Sequence, residues 1–157
     1  MSSLRVTREQ RADGSTFLIV AGAIDERADL ERLFSNLDGR VVMNLKGIER
    51  LNSLGIHRWV PLMDELTGRA KVELEALSVP LVTQATVVAN LLGTARLTSC
   101  MAPYFCPLCQ DGRMILVTVE DLRAAGGTSP HKSCPECNGP MELDELDSYL
   151  TLLRSEL

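Results

Sequence analysis

The chain is short of the residues that most often carry out chemistry. Among 157 residues there are two histidines, one tryptophan, two tyrosines and three phenylalanines. Neither His57 nor His131 has a nucleophile and base nearby that would complete a catalytic pair. No glycine-rich phosphate loop occurs and no paired-carboxylate site can be placed, so nothing points to an enzyme. No apolar run approaches the ~18–20 residues of a membrane span. The opening MSSLRVTREQRADGS is charged and has no apolar core, so the expectation is a cytoplasmic protein without a signal peptide. Basic residues are scarce towards the C-terminus. Residues 1–99 carry 12 basic and 12 acidic side chains, whereas residues 100–157 carry 4 and 9, which places the whole net charge of −5 in the second part. Affinity for nucleic acid comes largely from Lys and Arg neutralising phosphates, so binding of DNA or RNA through that part is disfavoured.

What the chain does have is 45% hydrophobic residues, enough for a sizeable core. The most informative stretch is VVMNLKGIERLNSLGIHRWVPLMDEL, residues 41–66. Val41 to Leu45 reads as a strand, broken by Lys46-Gly47. Ile56, Trp59, Val60, Met63 and Leu66 then recur at spacings of three and four and share one helix face. Ser53 stands where a helix N-cap is expected, at the positive end of the helix dipole, where a phosphate would also be favoured. Pro61 lies inside the helix, where an N–H is lost and the preceding turn is crowded. A kink or an irregular first turn is expected there. Trp59 is read as a core or half-buried residue, with an exposed partner anchor as the alternative, and His57 as a surface one.

The run N-L-K-G-I-x-x-L-N-S-L-G-I resembles the signature of STAS domains, the fold of anti-sigma-factor antagonists and of sulphate-transporter tails. The resemblance extends from about Phe17 to about Ser99 and includes Gly22-Ala23-Ile24-Asp25, similar to the family's G-x-L-D before the first helix. It implies a mixed sheet with helices packed on it. It also implies a partner-binding face at the turn and second helix: Asn52, Ser53, Leu54, Gly55, His57 and Arg58. In antagonists of the partner-switching type the serine matching Ser53 is phosphorylated by a partner kinase. Here the family's turn aspartate is Asn52, the following serine is Leu54 and the strand-end aspartate is Asn44. Loss of these carboxylates favours a binding module that keeps the scaffold, with a Ser53 phosphoswitch as the alternative.

Around this centre the order is strand and helix in alternation. Leu4 and Val6 suggest a short first strand, and Phe17–Ala21 a buried one ended or bent by Gly22. Asp25 is a candidate cap for a first helix with Leu30, Leu33, Phe34 and Leu37 on one face. Gly68 ends the second helix, and Val72–Leu77 alternates as a strand with one wet face. A nearly uncharged third helix is expected from Leu81 to Leu92, with Val82, Ala85, Val88, Ala89 and Leu92 facing the sheet and Val87 and Leu91 beside or outside it. Such a helix is covered either by the C-terminal part or by another copy or protein. Ala95–Cys100 closes the first domain, residues 1–99.

Residues 100–157 hold Cys106-Pro-Leu-Cys109 and Cys134-Pro-Glu-Cys137, two C-x-x-C knuckles with a strand at Met114–Val119 between them. Four thiolates in paired knuckles match tetrahedral structural zinc, and the pattern resembles a zinc ribbon. Four cysteines fill the coordination sphere, so chemistry at the metal is not expected. His131 is a weaker substitute ligand, and Cys100 is read as a buried thiol. Leu143, Leu146, Leu150, Leu153 and Leu157 form an a/d-like seam that packs on the chain itself, on a second copy or on another protein. Alternatively, Met141-Glu142-Leu143 completes the ribbon's sheet and leaves a helix from Asp144. The expectation from sequence is an α/β protein with a STAS-like sheet, a small zinc-ribbon module and a C-terminal helix. It would act as a non-enzymatic interaction module in a bacterial signalling or scaffolding assembly, its partner a kinase or another regulatory protein.

Overall fold

A computed structural model describes residues 3–157. The protein is a mixed α/β structure with two sheets. The first has the order β1-β2-β3-β4-β5, formed by Arg5–Gln10, Thr16–Ile24, Arg40–Leu51, Lys71–Glu75 and Arg96–Leu97. β1 runs antiparallel to β2, and the remaining neighbours are parallel. Parallel neighbours need crossovers. Those are supplied by α1 (Leu30–Leu33), α2 (Ser53–Arg69) and α3 (Val79–Ala85).

Burial alternates along β2, with Leu18 and Val20 buried and Ile19 exposed, as a sheet covered on one face requires. The covering side is led by α2, whose Gly55, Trp59, Met63 and Leu66 are buried. Trp59 is fully enclosed, edge-on to Phe34 with ring centroids 5.5 Å apart, and its indole N–H donates to the Leu91 carbonyl at 3.0 Å. α2 is helical without a break through Pro61, and its first turn is regular. Both Pro61 and His57, whose carbonyl loses its donor, are exposed, so water can take the place of the missing bond.

Several elements differ from expectation for identifiable reasons. β3 continues through Lys46-Gly47 to Leu51, because the parallel ladder with β2 absorbs the irregularity as register shifts. Gly22 likewise bends β2 without ending it. It has φ +108°, and a Cβ there would lie 2.3 Å from the Ser3 carbonyl oxygen. α1 is a single turn with Asp29 at its N-cap position, its carboxylate paired with Arg32, and Asp25 is instead a buried ion-pair residue. α2 runs one residue past Gly68 to Arg69. The third helix stops at Ala85. The segment after it turns back at Asn90 (φ +62°) and Gly93 (φ +59°), so that Leu91 is buried beneath Trp59 while Val87 stays exposed.

The expected strand Ala95–Cys100 is divided: Arg96–Leu97 closes the first sheet and Ser99 opens the second. The second sheet has the order β7-β6-β9-β8, from β6 (Ser99–Cys106), β7 (Asp111–Thr118), β8 (Lys132–Ser133) and β9 (Pro140–Leu143). α4 (Val119–Ala124) follows β7 with a capping box in which Thr118 and Asp121 satisfy each other's amides. The leucine seam does not form one helix. Leu143 ends β9, Leu146 is exposed, and only the 3-10 turn Asp147–Leu150 with α5 (Thr151–Arg154) presents Leu150 and Leu153 to the core. A parallel bridge between Leu77 and Cys100 joins the sheets, and buried residues from Leu4 to Leu153 form one hydrophobic cluster. No helix among the described residues is long and apolar enough to cross a membrane.

Candidate metal centre and turn surface

The two knuckles are built alike. Pro107 and Pro135 follow the first cysteine of each, where their fixed φ suits the opening of a tight turn. Gln110 and Asn138 follow the second cysteine with φ +55° and +60°, a left-handed conformation that Asn accepts readily. The Cys109 amide points at the Cys106 sulfur and the Gly139 amide at the Cys137 sulfur, each at 3.4 Å. Asn138 closes its turn by donating to the Cys134 carbonyl at 2.8 Å. A Cβ at Gly139 would displace the exposed Leu108 side chain, whose Cδ1 lies 2.6 Å away, and would crowd the Cys137 sulfur at 3.2 Å. Arg113 spans the knuckles from β7, pairing with Asp111 and with Glu136.

This folding brings the sulfurs of Cys106, Cys109, Cys134 and Cys137 within 4.8 Å of one another. Cys106 lies 3.6 Å from Cys137, and Cys109 lies 3.9 Å from Cys134. A tetrahedron with Zn–S of about 2.3 Å has edges of about 3.8 Å, so the donor set fits zinc. Two sulfurs come from buried and two from exposed cysteines, which gives a cation a route in. Backbone amides of Cys137 and Glu136 hold the Cys134 thiol down to about 6. Hydrogen bonding with the Cys137 and Cys106 sulfurs pushes Cys109 up to about 12. A bound dication would favour the thiolate at all four positions. His131 is exposed and lies outside the cluster. Cys100 is buried, and desolvation raises its thiol to about 12.

At the other candidate site Asn52, not Ser53, is the N-cap. Its Oδ1 accepts from the Gly55 amide at 2.8 Å and its Nδ2 donates to Glu26 at 2.6 Å. The hydrogen bond from Asn52 is the main reason the Glu26 carboxyl sits below its ordinary value. Ser53 begins the helix and is exposed, together with Leu54 and His57. Gly55 is buried where α2 abuts β2, and a Cβ would lie 2.0 Å from the Ile24 carbonyl oxygen. Arg58 is committed to the loop before α1, donating to the Ala28 carbonyl at 2.6 Å and pairing with Glu31 at 3.1 Å.

Of the six turn residues, then, Ser53, Leu54 and His57 are presented, while Asn52, Gly55 and Arg58 hold the presenting frame. The frame includes Asp25, whose carboxylate meets Arg27 and Arg50 at 3.2 and 3.1 Å. Asp25 does not serve as the helix cap expected of it. Its carboxylate is held by the Arg27 amide and guanidinium two residues on and by Arg50, 25 residues away, and only the second partner has no local signal. Comparison with family models, curated proteins and solved structures finds no match.

Proposed function

We propose that the protein is a non-enzymatic interaction module of a bacterial, cytoplasmic signalling or scaffolding assembly. In this reading a STAS-like domain presents a recognition surface and a zinc ribbon staples the second sheet. The observation that carries it is the rim at the start of α2. Leu54 is 60% exposed between exposed Ser53 and His57, on a frame fixed by the Asn52 cap and the Arg58 contacts. An exposed apolar side chain ringed by polar ones is a common anchor for a protein partner. The test is affinity capture from native lysate with wild-type and Ser53→Glu baits. Proteins retained by the first and lost from the second identify the partner and the face; identical captures refute the reading.

The four-cysteine cluster supports the ribbon, with Cys106, Cys109, Cys134 and Cys137 holding Zn²⁺ in a purely structural role. We expect one zinc per chain in metal analysis of the folded protein; well under one would refute it. Strong chelation should unfold at least residues 100–157, because binding energy at such a site is folding energy.

A second reading is favoured by the exposure of Ser53 at the amino end of a 17-residue helix. Phosphorylation there by a partner kinase would add about −1.5 to −2 charge, beside Glu26. A mass gain on incubation with the kinase that disappears in Ser53→Ala would establish it. No gain removes it.

A further inference from the structure

Three of the four sheet edges are blunted. β1 carries exposed Arg5, Arg8 and Glu9. β5 has two residues, and its Leu97 amide is taken by the Glu156 carboxylate at 3.0 Å. β8 also has two residues and begins with a lysine. Short strands and charges of this kind are how proteins keep sheet edges from pairing with other chains. The fourth edge, β7, is guarded only at its ends, by Asp111 and Arg113 at one and by Asp121 on the Thr118 amide at the other. It is eight residues long, keeps an unbroken register with β6, and its stretch Met114–Thr118 has no charge and no proline. Met114 is 57% and Leu116 43% exposed.

The direction of its backbone groups follows from two bonds. Val119, which continues the ladder, donates to the Thr98 carbonyl at 3.0 Å. Pro103, opposite Met114, has no N–H, and its carbonyl accepts from Asp144 on the far side of β6. Residues of an antiparallel strand alternate between neighbours. Ile115 and Val117 therefore bond to β6, while Gly112, Met114 and Leu116 turn both amide and carbonyl outward. Thr118 also turns outward, but its amide is taken by Asp121 at 3.0 Å.

We propose that β7 is the contact strand of a two-fold homodimer, pairing antiparallel with β7 of a second copy about an axis at Ile115. The occupant follows from self-complementarity. In this register Met114 of one copy lies opposite Leu116 of the other. Both are outward-facing, so the pair exchanges two hydrogen bonds, and the axis repeats the pair. Met114 and Leu116 lie on one face of the strand, so each exposed apolar side chain meets its counterpart across the axis. The uncharged centre opposes itself without like-charge contacts. The two sheets join into one of eight strands. The proposal does not depend on the Ser53 surface, which lies at the start of α2 beside the first sheet.

The test is the mass of the full, metal-loaded chain by light scattering or sedimentation at sub-millimolar concentration. Wild type should be a dimer. Met114→Pro removes an outward amide that β6 does not use, which an edge strand tolerates, and should be monomeric with unchanged circular dichroism and metal content. Leu116→Lys places two charges beside the axis, one from each copy, should also be monomeric, and serves if the proline variant fails to fold. A monomeric wild type overturns the proposal, as does a dimer that persists in a folded variant.

Discussion

Trp59 shows how much one side chain can organise. It sets where Phe34 packs and draws the Leu91 carbonyl inward. Trp59→Phe should cost about 1–3 kcal/mol for a buried carbonyl left unpaired. Trp59→Ala should cost about 3–5 kcal/mol through the cavity it leaves. Both are read as shifts of the urea midpoint. Gly55→Ala forces α2 away from the Ile24 carbonyl and should destabilise by about 1–3 kcal/mol, with capture of any rim partner weakened as well. Asn52→Asp keeps the cap but loses the bond to Glu26 and sets two carboxylates side by side. It should lower the neutral-pH unfolding midpoint, and Glu26→Gln should restore it.

At the scale of elements, legibility followed the periodicity. The face of α2 was readable because Trp59, Met63 and Leu66 repeat at helical spacing, and residues 71–75 because Val72 and Leu74 alternate with glutamates. The two C-x-x-C knuckles were readable because short loops fix their own geometry. Legibility failed where distant partners decide the outcome. The third helix ends early because Trp59 claims Leu91. The leucine seam is cut because Met141–Leu143 pairs with β6 and β8, the second of the two arrangements expected for it, although the helix expected from Asp144 is reduced to short turns. Ala95–Cys100 looked like one strand, but Thr98 lies between two sheets: its amide bonds to the Leu74 carbonyl and its own carbonyl takes the Val119 amide. Asp25 escaped in part for the same reason: Arg27 is a local partner, but Arg50 reaches it only once β3 lies beside β2.

For the whole molecule, acid should be the revealing stress. Asp25 is held low by the Arg27 amide, with the Arg27 and Arg50 guanidinium groups adding to it. Asp121 is held low despite burial, by Lys132 and the Thr118 amide. A carboxyl depressed in the folded state contributes stability in full above its unfolded value, about 4. That contribution drains as pH falls through the lower folded value. The urea midpoint should therefore be flat above about pH 5 and fall below about pH 4, with Asp25→Asn shortening the fall. Acid also protonates thiolates and releases metal, so metal content should be followed alongside. The sole tryptophan is sealed among the residues covering the first sheet, and both tyrosines, Tyr104 and Tyr149, lie in the second part with their hydroxyls bonded to the Pro130 and Met101 carbonyls. Indole and phenol emission thus give each half its own optical channel. Coincident traces after chelation would mean that the shared interior transmits the loss of the ion across the whole chain.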